Sequence, residues 1–495
     1  MKTLRSFMDD LRDYGELKAL EEDIHWDLHA SAICAMSQRV GGPAVHFTKV
    51  SDYPHSSLVG SLLSGPGYAY PQERKMQGRI AVGLGLEPST HYDEVMEVLS
   101  ERKQAPIRAI EVTSGPIQEY VLPGDEVDIY RFPIPRIHDG DGGRYLTSHI
   151  VLTKDPETGW TNWAVYRCMV LAKNKLVNSS PIKGPALMGK RHIEIIFNKY
   201  AARKEPMPFA IVIGVSPAQL MTAAMNLGES QDEASIAGGL MLEPIPMIKA
   251  QLSDILIPAD AEIVLEGHVY PAEVAQEGPF AGISRYTERG TGLVYTVELI
   301  SHRKDPILPF VTPAVKTGDA LTLLSVLHSH ELFELLRKQA FPVRWVTLPV
   351  EAKLCLCFVS TDTHLHAGLP KRIASIIFAR SPFVEHLVIL DSDIDSEDLA
   401  TAFNDSHQKA HPGRNYHISK IDRILSPTAN HDLDTGMTST LYADATWRVD
   451  RPSINIPKRV GFETSYPLEM QERVIKRWEE LGLFPKPIWR KHLAQ

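Results

Sequence analysis

Leu4, Phe7, Met8 and Leu11 recur at the three- and four-residue spacing of a helix that buries one face, and Gly15 predicts its end. A second helix is predicted over about 31–40, stopped by Gly41-Gly42, after which 44–50 reads as a strand. Thr90 offers a capping hydroxyl to a helix carrying Tyr92, Val95, Met96 and Leu99. Helix and strand therefore alternate to about residue 115, the pattern of a small α/β domain.

From Ile117 to about Ile307 the pattern changes to strands punctuated by turn residues, predicted at 149–154, 161–172, 209–215, 247–251 and 261–268. That spacing points to a barrel or sandwich. Two helices interrupt it, one opened by Ser216-Pro217, a capping hydroxyl followed by Pro at the first helical position, and one over 232–242. After Pro309 the α/β pattern returns. Helices are predicted at 321–339, 371–379 and from 399, with strands at 343–350, 354–359 and 387–390. The last strand runs into Asp391-Ser392-Asp393, read as a helix cap more readily than as a ligand site. Met470, Val474, Trp478 and Leu481 make an amphipathic terminal helix, expected to pack on another domain or subunit. Domain limits are placed at 1–115, 116–307 and 308–495, with no internal repeat.

A chain of 495 residues is too long for one core, in keeping with that division. Its apolar content of 43% and charged content of 23% are those of a soluble globular protein. A net charge of −9 argues against non-specific nucleic-acid binding. No window is apolar enough to span a bilayer, and Met1-Lys2-Thr3-Leu4-Arg5 is no signal peptide. The four cysteines form no CxxC; Cys355 and Cys357 share one strand face as packed thiols, which fits a reducing cytoplasm.

The apolar run from Gly159 to Met169 carries two polar residues, Asn162 and Arg167, five apart and so on opposite faces of an ideal strand. A buried Arg calls for an anion, whereas an edge-strand Arg simply reaches solvent. Other polar groups in apolar settings are Lys190-Arg191-His192, Glu233 within a small-residue helix, and Glu277 in Gln276-Glu277-Gly278-Pro279-Phe280. Asn, His and Glu together suit Mg²⁺ or Mn²⁺, and basic residues beside such a metal suit a phosphate. Taken singly, each admits a plain structural role: a satisfied histidine, or a Glu paired with an Arg at a loop.

Taken together, Trp160-Thr161-Asn162-Trp163 with Arg167, Arg191-His192, Glu233, Glu277-Gly278-Pro279-Phe280 and Lys371-Arg372 resemble the UbiD family of reversible decarboxylases. The likeness extends through His138-Asp139-Gly140-Asp141-Gly142-Gly143-Arg144-Tyr145 and Glu262-Ile263-Val264-Leu265-Glu266-Gly267, and covers nearly the whole chain. Within the family it points to the ferulic/cinnamic acid decarboxylase branch, including the ending 472–484. The resemblance implies a mixed α+β fold: an N-terminal α/β domain, a central split β-barrel flavin-binding domain, and a C-terminal α/β oligomerisation domain with a terminal helix. It implies prenylated FMN, supplied by a flavin prenyltransferase, and a homodimer or homohexamer. Asn162, His192 and Glu233 would bind Mn²⁺ (or Mg²⁺), and Trp160, Ala223 and Met225 would hold K⁺, largely through carbonyls. Val165, Tyr166, Arg167, Arg191 and Lys371 match further cofactor contacts. Arg167, oriented by Glu277, would hold the carboxylate of an aromatic, heteroaromatic or α,β-unsaturated acid.

One departure stands out. Relatives carry an acid at the end of the Glu-Gly-Pro-Phe run and use it as proton donor; here the run is Glu277-Gly278-Pro279-Phe280-Ala281-Gly282, and glycine has no proton to give. Glu288 is the first alternative donor, then Glu277 itself, then water. Tyr166, Arg191 and Leu323 or Leu324 are expected to shape the substrate pocket, Arg191 suiting a second polar group. Two rivals follow. A conventional FMN reductase lacks support, since Gly83-Leu84-Gly85-Leu86 misses the third Gly of a dinucleotide fingerprint. A silent flavin-binding protein is motivated by Gly282.

Overall fold

The computed structural model describes residues 3–67, 74–178, 192–282, 286–287, 289–313, 317–362, 368–421, 432, 435–457, 459–483 and 489. Lys190, Arg191, Glu288 and Phe484 lie outside the described residues. The first helix forms over Leu4–Asp13 with Leu4, Phe7, Met8 and Leu11 buried and a Thr3–Ser6 capping box at its start. Leu17–Ile24, Ala44–Val50, Ser57–Gly60 and Ile307–Phe310 build a four-stranded sheet in that order. Its last strand comes from some 250 residues downstream of its neighbour, so the chain passes through the central region before completing its first sheet.

The central region is an antiparallel nine-stranded sheet. Its path runs Tyr145–Leu146, Cys168–Ala172, Lys175–Asn178, Gly290–His302, Ile263–Glu277, Met207–Ile213, His149–Lys154, Thr161–Ala164, with Tyr120–Pro123 paired to Gly290–His302 off the path. Chain length forces this sheet to curl. Thr161–Ala164 ends the path and Cys168–Ala172 is next to the other end, yet only Val165, Tyr166 and Arg167 join them. Four Cα steps reach at most about 14 Å. Six strand spacings in a flat sheet would need about 29 Å. The single strand predicted over 161–172 is thus two strands at facing ends of a curled half-barrel, and Asn162 and Arg167 do not share a strand. Phe209, Ile211, Leu265, Tyr295 and Leu176 fill the space inside the curl.

The predicted helix starts at Ser216-Pro217 and 232 hold: Ser216 caps Pro217–Ala224 in a capping box, and Asp232 caps Glu233–Met241. Other local expectations fail for local reasons. His91, not Thr90, is the N-cap of Tyr92–Gln104, its ring accepting from the Asp93 N–H, while Thr90 donates its hydroxyl to Glu87 O. Asp391 caps nothing: it accepts from Lys409 Nζ at 2.7 Å and from the Trp447 N–H, and Asp398 is the cap of Leu399–Gln408. Cys355 lies one residue before the strand Leu356–Thr361, so it shares no strand face with Cys357.

The C-terminal sheet has the order Val343–Thr347, Leu356–Thr361, His386–Asp391, Leu441–Ala445, Tyr416–Ile418. The helix Asp319–Lys338 ties the ends of the molecule together. Leu323, Val326 and Leu327 pack with Phe7, Leu11 and Val95, while Leu332, Phe333 and Leu336 pack with Val346 and Val359 of the last sheet. Polar contacts reinforce the join: Tyr92 donates to Val346 O at 3.0 Å, Ser100 Oγ lies 2.9 Å from His330 Nε2, and Lys103 pairs with Glu334 at 2.7 Å. The terminal helix Leu468–Arg477 leaves Met470 exposed in the single chain, and Leu481 beyond it is exposed as well.

Candidate active site

Two polar clusters sit where the curled sheet meets its surrounding helices. The first is built around Trp160. Asn162 is buried on the Thr161–Ala164 strand, opposite Thr153, and its Oδ1 lies 3.1 Å from Nδ1 of His192, the first residue of the helix His192–Arg203. The Trp160 ring meets the His192 ring edge-on at 5.0 Å. Its indole N–H is shared between Gln231 O at 2.7 Å and Glu233 Oε2 at 3.2 Å, and the Trp163 N–H approaches Glu233 Oε1 at 3.4 Å.

Glu233 is the first residue of its helix and is buried. Burial pushes its carboxyl up to about 7, against the opposing N–H donors, and no ion pair to it exists among the described residues. Burial also lowers His192, favouring the neutral ring that a metal ligand requires. Asn162 Nδ2 is buried without a partner among the described residues. An amide oxygen, a neutral imidazole and an under-neutralised carboxylate form a donor set that a divalent cation would complete.

Trp160 offers only part of its carbonyl to any further ion, since it accepts from the Asp155 N–H at 2.8 Å. Ala223 is in the last turn of Pro217–Ala224, where carbonyls lack intrahelical partners, and Met225 is that helix's extended C-cap. On the Asn162 face of the same strand pair, Thr153 Oγ1 and both ring nitrogens of His149 are buried without partners among the described residues. Burial holds His149 neutral, its pKa pushed down to about 3.

The second cluster holds Arg167. Its Nε and one Nη donate to Glu277 Oε1 and Oε2 at 2.8 and 2.9 Å, a two-pronged ion pair. The guanidinium lies 4.7 Å over the Phe280 ring. Glu277 is not on a free loop: it is the last residue of the fifteen-residue strand Ile263–Glu277, opposite Gly290. The turn after it needs glycine, because Gly278 sits at φ +94°. Val165 and Tyr166 line the seam beside this pair, each partly buried against a core cluster.

Lys371 stands apart from both clusters: it is exposed on the helix Leu369–Arg380, with no contact to either among the described residues. Leu323 is buried against the N-terminal helices and Leu324 against the last sheet. Sequence reading missed Tyr145, whose hydroxyl donates to Glu277 Oε1 at 3.0 Å, and Asp141, whose Oδ1 accepts from the Ala281 N–H at 3.0 Å. The signal was present, since both residues lie in the His138–Tyr145 run, but no local pattern connects that run to Glu277.

A curled antiparallel sheet between two α/β units, carrying half-buried Arg167 paired with buried Glu277 and an N/O donor set, defines a mixed α/β protein with the frame of an enzyme site. The chain belongs to the UbiD family. Family models described as the N-terminal, Rift-related and C-terminal domains of 3-octaprenyl-4-hydroxybenzoate carboxy-lyase match residues 8–99, 108–316 and 321–445. The chain is 28% identical to pyrrole-2-carboxylic acid decarboxylase of Pseudomonas aeruginosa, over 97% of this chain and 98% of that protein. It is 29% identical to ferulic acid decarboxylase 1 of Saccharomyces cerevisiae over 79% of each. A solved structure of an evolved dimeric form of the UbiD-class enzyme HmfF from Pelotomaculum thermopropionicum, in complex with prFMN, superposes with a TM-score of 0.78. It is 25% identical and covers 92% of this chain and 97% of that one.

Proposed function

We propose that this decarboxylase removes CO₂, reversibly and without oxidation, from an aromatic, heteroaromatic or α,β-unsaturated carboxylic acid, with prenylated FMN as cofactor. The observation that carries the reading is the ion pair of half-buried Arg167 with buried Glu277 at the seam of the curled sheet. A guanidinium held by a carboxylate on one edge and an aromatic ring on its face is a fixed, oriented cation, suited to gripping a substrate carboxylate. Asn162, His192 and Glu233 would hold Mn²⁺ or Mg²⁺, whose charge would offset that of the buried Glu233. The N-terminus of the His192 helix favours an anion such as a flavin phosphate. Carbonyls of Trp160, Ala223 and Met225 would take K⁺, and Val165, Tyr166 and Arg191 would complete the cofactor contacts, Lys371 being exposed and apart from both clusters. The orphaned polar atoms of His149, Thr153 and Asn162 support a polar ligand inside the curl. A flavin prenyltransferase supplies the cofactor, and the division at about 115 and 307 separates the flavin-binding unit from its flanking units. The exposed Met470 and Leu481 favour a homo-oligomer.

The electron-sink chemistry that lets an sp² carbon lose CO₂ comes from prenylated FMN when bound. The chain's own residues bind the acid through Arg167, orient that Arg through Glu277, and close the site with the packed sheet. The C–CO₂ bond breaks, CO₂ leaves, and one proton is delivered to the carbon. Gly282 cannot supply it, which leaves Glu288, Glu277 or a water. The same glycine favours a second reading, a flavin-binding family member without turnover.

The test is protein co-expressed with a flavin prenyltransferase and handled anaerobically. The mass of the released cofactor is measured, then CO₂ release over a panel of unsaturated and aromatic acids. Prenylated FMN with turnover is the expected result. Plain FMN or none in repeated preparations, with no CO₂ from any acid, would overturn the reading.

A further inference from the structure

The run from His138 to Tyr145 has no role assigned to it so far, yet it meets the Glu277 turn at three points. The Gly142 N–H donates to Pro279 O at 2.8 Å, and a Cβ on Gly142 would fall 2.3 Å from Gly278 O, so only glycine lets the two backbones approach. Asp141 holds the Ala281 N–H with Oδ1 and the His138 N–H with Oδ2, at 3.0 and 2.8 Å. Tyr145 is fully buried with its ring 4.3 Å from that of Phe280, the ring under Arg167. Its hydroxyl shares Glu277 Oε1 with Arg167 Nε. Both oxygens of the carboxylate are therefore engaged by donors, three hydrogen bonds in all.

We infer that Tyr145 is a positioning residue for the Arg167–Glu277 pair, its hydroxyl fixing Glu277 as a hydrogen-bond acceptor so that the pair grips the substrate carboxylate and does not deliver the proton. This inference rests on the decarboxylase reading. The three donors occupy the carboxylate lone pairs on which a transferable proton would have to sit. Burial and the neighbouring carboxylate raise the Tyr145 phenol far above its ordinary range, so it gives up no proton either. The missing acid at Gly282 is then replaced from outside the pair. A purely space-filling role for Tyr145 makes a different prediction, because its ring would do all the work.

Tyr145→Phe separates the two, since it keeps the ring on Phe280 and removes one hydroxyl. In the prenylated-FMN holoenzyme, with an acid that the wild type turns over, kcat/KM is expected to fall roughly tenfold, mostly through KM. The solvent deuterium isotope effect stays at the wild-type value, because no proton leaves the pair. In urea unfolding, the effects of Tyr145→Phe and Glu277→Gln are non-additive by at least fivefold in the folding constant.

An unchanged KM together with additive unfolding effects would overturn the positioning role. A changed isotope effect would overturn the acceptor assignment, since it would put the proton in the pair. Absence of turnover in the wild type is the distinct failure of the decarboxylase reading itself.

Discussion

Replacing Arg167 by Lys keeps one positive charge and removes the fork. The present side chain makes two bonds to Glu277, at 2.8 and 2.9 Å, and rests 4.7 Å over Phe280. A lysine ammonium cannot reproduce both parallel bonds and the face-on stacking, so one charge-assisted bond and the ring contact are lost. Such a bond contributes ~1.5–3 kcal/mol. The ring contact adds ~0.5–1 kcal/mol. The loss of roughly 2–4 kcal/mol falls on orientation of the substrate carboxylate, which corresponds to about 30- to 900-fold in kcat/KM. The assay is CO₂ release by the prenylated-FMN enzyme over a range of acid concentrations, with flavin and metal content measured in each preparation. Tm should fall as well, because Glu277 is buried and keeps only part of its partners. A Lys variant within threefold of wild type in kcat/KM, at equal flavin loading, would refute the claim that the fork does the gripping.

Two further outcomes are expected. After chelation, Mn²⁺ should raise Tm of the wild type, by linkage worth ~2.7 kcal/mol at a hundredfold excess over Kd. Glu233→Gln and Asn162→Ala should abolish most of that rise; equal shifts in all three proteins, followed by differential scanning fluorimetry, would place the metal elsewhere. The second concerns the join between the first and last sheets. There Glu397 is held by Lys75, by Gln77 Nε2 at 2.8 Å and by the Tyr92 N–H at 3.0 Å, while His91 Nε2 lies 3.3 Å from Asp395. The hydrogen bond to Asp395, helped by Glu397 and Asp93, raises the His91 pKa above 6.5. A raised imidazole stabilises the fold fully below its unfolded value and loses that contribution as pH rises through the folded one. Tm should therefore decline from about pH 6.5 upward more steeply in the wild type than in His91→Gln, and identical slopes would count against the His91 contact.

Local physics was legible along the chain. The helix start at Ser216 follows from a hydroxyl that satisfies free N–H groups, such caps need only a few neighbouring residues, and the helix Glu233–Met241 falls within the 232–242 predicted. The strand His149–Lys154 and the buried face of Leu4–Asp13 follow equally from periodicity. The chemistry was legible for a different reason: Asn162, Arg167, His192, Glu233 and Glu277 are polar residues in apolar surroundings, and their types limit the ligands they fit.

What residue types could not convey was neighbourhood. The break at Val165–Arg167 is invisible in a run without Pro, because it is imposed by closure of a sheet whose strands come from 145 to 302. Thr90 lost the cap to His91 one residue on, where the ring could reach the Asp93 N–H. Asp391 turned from helix to Lys409 because a buried cation eighteen residues on outweighed a local cap. The Tyr145 hydroxyl and Glu277 are 132 residues apart, and Asp141 and Ala281 are 140 apart. Capping, periodicity and donor type act over a turn or two of chain and belong to the sequence alone. Which buried acceptor meets which donor is settled only when distant strands share one sheet, since an unpaired polar group in that interior costs more than any local preference returns.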